Sequence, residues 1–262
     1  KGGFIETSGK ESLEVKGRVD AGKGGTWLLD PRFINIVNGA GPGSADAQLP
    51  NVPFAFGGQT ETISEQALES ATLSGQSIVL QATDTITINN LNDNALTLAT
   101  GTSITFMTQT GNFVMADPND ALIASGGGSI NLDIGKDVFL GSLVNTGSGS
   151  ISVKFGGQIF GGGTGPALRG DRLSFDLVAG STFGTAGTPI QVAGFSNALP
   201  THMNITTPDA NNFFVTANVA GTSAQRDLNL NAGTFNAGDT FPKGYPHYLP
   251  SPRLLAALAA FV

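Results

Sequence analysis

Cysteine is absent from all 262 residues, which excludes thiol nucleophiles, disulfides and thiolate metal sites. Histidine is nearly absent: only His202 and His247 occur. His202 stands between Thr201 and Met203 and His247 between Pro246 and Tyr248. Neither belongs to a Gly-x-Ser-x-Gly or His-Glu-x-x-His pattern. A catalytic triad or a zinc centre needs several groups converging, and two isolated imidazoles supply too few. No catalytic residue, metal ligand or cofactor is therefore expected, and the chain does not read as an enzyme.

Charge is scarce too, at 13% of residues with a formal net charge of −7. No Lys or Arg stands between Arg32 and Lys136, while Asp46, Glu61, Glu65, Glu69, Asp84, Asp93, Asp117 and Asp120 fall in that interval. Such a surface repels phosphates and anionic headgroups, so nucleic acid is not an expected partner. The longest apolar run, residues 254–262, falls far short of the roughly 20 residues of a membrane-spanning helix, and no membrane insertion is expected. The first residue is Lys1 and no charged-then-apolar leader follows, so the chain reads as a processed or excised piece of a longer one.

What fills the sequence is Gly, at 37 residues, with Thr, Ser, Asn, Ile, Val and Leu, and with Phe outnumbering Tyr and Trp together. β-Branched and aromatic side chains suit a pleated surface, and Gly and Asn supply corners, so an all-β chain of short strands is expected. Residues 1–36 read as strands, including Phe4-Ile5-Glu6, Thr26-Trp27-Leu28-Leu29 and Ile34-Asn35-Ile36. Pro42, Pro50 and Pro53 mark a loop insertion at about 37–62. Residues 63–73 form the best helix candidate, with Ile63, Ala67, Leu68 and Ala71 on one face and Glu65 and Glu69 on another. Beyond it come short in-out-in units: Ile78-Val79-Leu80, Ile86-Thr87-Ile88, Leu96-Thr97-Leu98, Ile104-Thr105-Phe106, Phe113-Val114-Met115, Ile130-Asn131-Leu132, Val138-Phe139-Leu140 and Ile151-Ser152-Val153. Ile78, Ile104 and Ile130 start equivalent units at intervals of 26 residues, about the length of three short strands and three corners, although an 18-residue, two-unit spacing is also visible. A parallel solenoid is expected over a sandwich, as one elongated domain at residues 1–240. A Pro-rich tail with an apolar end follows at 241–262.

The segment Gly2-Gly3-Phe4-Ile5-Glu6-Thr7-Ser8-Gly9, with Val19-Asp20-Ala21-Gly22 and Gly25-Thr26-Trp27-Leu28-Leu29-Asp30-Pro31, closely resembles a block of filamentous-haemagglutinin-like exoproteins exported by two-partner secretion systems of Gram-negative bacteria. Residues 76–149 resemble the repeats of that family as written in cyanobacterial members, and Gly184-Thr185-Ala186-Gly187-Thr188-Pro189-Ile190 resembles one of its recurrent turns. The resemblance implies a right-handed parallel β-helix, a secreted or cell-surface location, an outer-membrane secretion partner, and a role in adhesion, aggregation or matrix building.

Four sets of residues are candidates for contact or chemistry. Leu254, Leu255, Leu258, Phe261 and Val262 are the candidate assembly contact, by which copies self-associate or neighbouring rungs of a longer exoprotein meet. Arg169, Gly170 and Asp171 form a tripeptide that a receptor reads when it sits on an exposed loop. Asp117-Pro118-Asn119-Asp120 is the place to look for calcium, although no metal site is assigned to it. The alternative function is a β-helical polysaccharide lyase or hydrolase, which would need Asp84, Asp93, Asp117, Asp120, Asp133 and Asp137 to converge on one face. Cell-surface glycans or receptors are the candidate partners, and Trp27, Tyr245 and Tyr248 are too few and scattered to mark a sugar-stacking platform.

Overall fold

The computed structural model describes residues 4–7, 26–29, 32–39, 43–52, 60–161, 165–185, 188, 190–194, 202–207, 215–217 and 227–232. Near the start, β1 (Phe4–Thr7) and β2 (Thr26–Leu29) pair in parallel, with Phe4 opposite Thr26 and Thr7 opposite Leu29. The main body opens with β3 (Phe33–Val37), a short 3-10 turn at Asp46–Gln48, β4 (Asn51–Val52), β5 (Thr60–Ser64) and the helix α1 (Glu65–Leu73).

From there the chain coils. The first full turn is β6 (Ile78–Ala82), β7 (Ile86–Ile88) and β8 (Ala95–Leu98), and the second is β9 (Ile104–Thr108), β10 (Phe113–Met115) and β11 (Ala121–Ala124). The third is β12 (Ser129–Ile134), β13 (Val138–Phe139) and the first part of β14 (Leu143–Phe155), whose second part opens the fourth turn. β15 (Gln158–Phe160) and the first part of β16 (Leu168–Leu177) complete the fourth; the rest of β16, β17 (Thr182–Phe183) and β18 (Ile190–Ala193) make the fifth. β19 (His202–Thr207) and β20 (Val215–Ala217) follow, and β21 (Asp227–Ala232) stacks on β19.

Among the described residues every strand pairing is parallel, and the result is a three-faced β-solenoid of about six turns. The long face carries β4, β6, β9, β12, the second parts of β14 and β16, then β19 and β21. The second face, of two- to five-residue strands, runs β5, β3, β7, β10, β13, β15, β17. The third face holds β8, β11, the first parts of β14 and β16, β18 and β20.

The in-out-in sequence pattern explains the packing. Ile78, Ile104, Ile130, Ile151, Leu173 and Met203 lie in register along the long face, all buried. Leu80, Phe106, Leu132, Val153, Phe175 and Ile205 form a second inward column beside them. Burying each such side chain contributes about 1.5–3 kcal/mol, and this burial drives the coiling. The corners are tied by side chains that accept a backbone N–H from the next turn. Thr85 Oγ1 accepts from Asn112 (3.3 Å), Asn112 Oδ1 from Asp137 (3.1 Å) and Asp137 Oδ1 from Gln158 (2.8 Å). At another corner Ser77 Oγ accepts from Ser103 (3.3 Å) and Ser103 Oγ from Ser129 (3.0 Å), and the hydroxyls of Ser129 and Ser150 are 2.8 Å apart.

All eight in-out-in units named from the sequence bury both apolar residues. The equal step from Ile78 to Ile104 to Ile130 is not kept beyond them. The next equivalents fall at Ile151, Leu173 and Met203, so two steps are shorter and the last is longer. The 18-residue spacing corresponds to no stacking register. Within the stretch expected to be a loop, β4 pairs with β6, and β5 begins at Thr60. The helix starts two residues later than expected, because Ile63 ends inside β5 and Ser64 caps α1 by accepting from Ala67 N–H (3.2 Å). Its buried face also differs. Glu65, Leu68 and Thr72 are buried while Ala67 and Ala71 are half-buried, since the helix lies over a row of open backbone N–H groups that need oxygen acceptors. The tail at 241–262 lies outside the described residues.

Candidate functional site

The outward residues of the long face alternate with its core columns, so they too form rows along the coil axis. One row reads Val79, Thr105, Asn131, Ser152, Ser174, Asn204, and the next reads Gln81, Met107, Asp133, Lys154, Asp176, Thr206. Small hydroxyl side chains at 152 and 174 leave a trough between bulkier neighbours. This open groove of about 500 Å³ runs across β9, β12, β14, β16 and β19. Lys154 Nζ reaches Asp133 Oδ1 at 3.3 Å across the strands, both side chains about half exposed, and Asp176 lies opposite Lys154 on the other side. Asn131 Nδ2 donates to Thr105 Oγ1 (3.3 Å) and Gln81 Nε2 to the Met107 sulfur (3.0 Å), which fixes the floor of the upper part. The groove therefore offers hydroxyls, an amide, two carboxylates and one ammonium in a fixed lattice.

A second polar cluster lies where α1 meets the corner between the second and third faces. Glu65 Oε2 accepts from Gly39 N–H (3.2 Å), and Asp120 Oδ2 accepts from Leu91 N–H (3.1 Å) while its Oδ1 is buried without a partner. Burial pushes the Glu65 carboxyl above its ordinary 4.5, repulsion from Asp93 and Glu69 adds to it, and the Gly39 N–H opposes it. Burial likewise raises Asp120 above its ordinary 3.8, helped by repulsion from Asp117 and Asp93 and opposed by the Leu91 N–H. The folded state thus holds these protons more tightly than the unfolded chain does. Their contribution to stability is complete below the ordinary values and is lost as pH rises through the higher folded-state values. The thermal midpoint is expected to rise as pH falls from about 7 to about 4, and Glu65→Gln with Asp120→Asn to flatten that rise. Equal slopes in the two proteins, measured by circular dichroism, would assign the pH dependence to other groups.

The structure separates the six carboxylates that an enzyme would need together. Asp84 and Asp137 stand at the corner between the long and second faces, Asp84 paired with Arg32 (3.2 Å). Asp93, Asp117 and Asp120 stand at the next corner, and Asp133 alone of the six is in the groove. Within Asp117-Pro118-Asn119-Asp120, Asp117 Oδ1 accepts from the backbone and side chain of Asn119 (2.8 and 2.9 Å), whereas Asp120 turns inward to Leu91. Among the described residues no three His, Cys, Asp or Glu side chains gather for a metal ion.

Arg169-Gly170-Asp171 is not on a loop. It lies inside β16, with Gly170 buried beside Thr146 and Arg169 and Asp171 half-buried. His202 opens β19 and is half-buried, and Trp27 lies in β2. His247, Tyr245, Tyr248 and the assembly candidates Leu254, Leu255, Leu258, Phe261 and Val262 lie outside the described residues. Among the described residues no helix is long and apolar enough to cross a membrane, and Leu73 and Val178 are the large apolar side chains left exposed. The groove was not singled out from the sequence, because Asp133, Lys154 and Asp176 depart from the earlier repeat and align only once the shortened turns are known. No protein-family model, curated protein or solved structure matches the chain.

Proposed function

We propose that this chain is a secreted or cell-surface rod of the kind built by filamentous-haemagglutinin-like exoproteins, and that it works by adhesion rather than catalysis. The observation that carries this reading is the groove on the long face, a fixed row of hydroxyl, amide and charged groups along a rigid axis. An extended polyhydroxylated chain meets such a surface with its own periodic hydroxyls, and hydrogen bonds to the charged groups are the strong ones. Two carboxylates against one ammonium favour neutral or amino-bearing glycans over acidic ones. Export through an outer-membrane partner and association among copies belong to the same reading, on the strength of the sequence resemblance.

The test is a glycan array with the purified protein and a Ser174→Trp variant, which fills the trough without touching the core. Retention of neutral or amino glycans is expected, with at least a tenfold loss in the variant. Retention unchanged by the variant would place binding elsewhere and remove the groove from the proposal. A second reading, a polysaccharide-active enzyme, rests on Asp133 and Asp176. They flank Lys154 in one row, with their backbones two strand spacings or about 9–10 Å apart across the sheet. Inverting glycosidases hold their carboxyl groups about 6.5–9.5 Å apart, so the same samples should be assayed for new reducing ends. Their appearance, lost in Asp133→Asn, would favour the enzyme.

A further inference from the structure

A β-solenoid exposes unpaired backbone at its ends, where another copy can add strands. The edge strands at one end of the main coil are β4, β5 and β8, and the last two are closed by side chains instead. Over β8, the N–H groups of Ala95, Thr97 and Ala99 are taken by Asp93 Oδ1 (3.1 Å), Glu69 Oε1 (2.9 Å) and Thr72 Oγ1 (2.9 Å). The opposite edge of β8 faces β11, where Ala121 N–H donates to the Asn94 carbonyl (2.8 Å), so these three donors are the ones directed away from the coil.

Over β5, Thr62 N–H donates to Ser44 Oγ (2.8 Å), Ser64 N–H to Asp46 Oδ1 (2.8 Å), and Ala45 N–H returns to the Thr62 carbonyl (3.0 Å). The two coverings are joined at Ser64, whose hydroxyl donates to Asp46 Oδ2 (2.8 Å) and accepts the Ala67 N–H of the helix. Gly43 presses so closely on the Thr62 carbonyl that a Cβ would overlap it.

We infer that residues 43–46 and α1 form one edge plug, which bars a second copy of this chain from adding strands to the second and third faces at this end of the coil. Contacts between copies are thereby left to the outward faces, to β4 and to the other end. The inference stands whatever the long face binds. It also gives the unexpected buried face of α1 a purpose: Glu69 and Thr72 substitute for the strand that would otherwise lie there.

The test is sedimentation velocity over a wide concentration range with hydrogen exchange on the same samples. Glu69→Ala with Thr72→Val removes two acceptors over β8. Self-association is expected to tighten at least tenfold over the parent, while Glu69→Gln with Thr72→Ser, which keeps both acceptors, behaves as the parent does. Faster exchange at Thr97 and Ala99 with unchanged protection in β12 shows that the edge has opened within an intact coil. If that opened variant sediments like the parent, the plug does not control association and the inference fails. Should the variant unfold, the parent decides. Amides of Thr62, Ser64, Thr97 and Ala99 exchanging as slowly as those of β12 support the plug, and exchange at the rate of exposed turns overturns it.

Discussion

Phe106→Ala is expected to destabilise the coil by roughly 3–5 kcal/mol, the range for truncating a fully buried phenylalanine. Phe106 is inaccessible to solvent, sits in register between Leu80 and Leu132, and packs against the Phe113 ring at 4.9 Å and a tilt of 55°. The surroundings have little freedom to collapse into the space. The strands on both sides of β9 are held at fixed spacing by their ladders, so the cavity persists and the loss falls toward the upper end of the range. Each turn touches only its neighbours, so the weakness is also expected to uncouple the turns before residue 104 from those after residue 130. Urea unfolding followed by hydrogen exchange measures both effects. A loss below about 1 kcal/mol would mean that the core columns relax far more freely than close-packed interiors do.

Gly149→Ala is the second large effect, of about 3 kcal/mol or more. Gly149 lies in β14 where the chain turns from the third face onto the long face, directly over Gly128 of the preceding turn. A Cβ at 149 would overlap the Gly128 carbonyl oxygen and meet the backbone carbon of Gly127 at 3.1 Å, and backbone cannot rotate away as a side chain can. Relief requires the two turns to part, which strains the serine ladder at Ser129 and Ser150 next to it. Gly165→Ala is the control. A methyl there meets nothing within 4 Å, and its expected change stays within about 0.5 kcal/mol. Equal thermal midpoints for the two variants would refute the close-approach argument.

The sequence was most legible where the inward residues are large. Ile78 and Leu80, Ile104 and Phe106, Ile130 and Leu132 declare their strands, because bulky aliphatic and aromatic side chains at period two leave no other face to bury. It was least legible on the third face. Ala121-Leu122-Ile123-Ala124 forms β11 with Leu122 and Ala124 buried, but alanine ends blur the alternation. The helix misled for a different reason. Amphipathic reading assumes that a helix buries its apolar stripe, and α1 instead turns Glu65, Glu69 and Thr72 toward backbone donors. The spacing of those three residues, four and then three apart, is the polar stripe that would have revealed it. The groove needed the register itself, since its three charged residues share a row only because the turns shorten after Ile130.

Unequal turn lengths separate the chain's length from its cross-section. Met203 still stacks on Leu173 although the stretch between them is longer than the one from Ile151 to Leu173, and the inward column passes through undisturbed. The surplus must emerge between strands, and lengthening a surface loop costs only about 0.6 kcal/mol for each doubling. The coil thus behaves as a mounting rail: segments of different length and chemistry can be hung along its corners while the strand ladder carries the load. Variation that would cripple a jigsaw-packed globule becomes, on this scaffold, a change of attachment and not of structure.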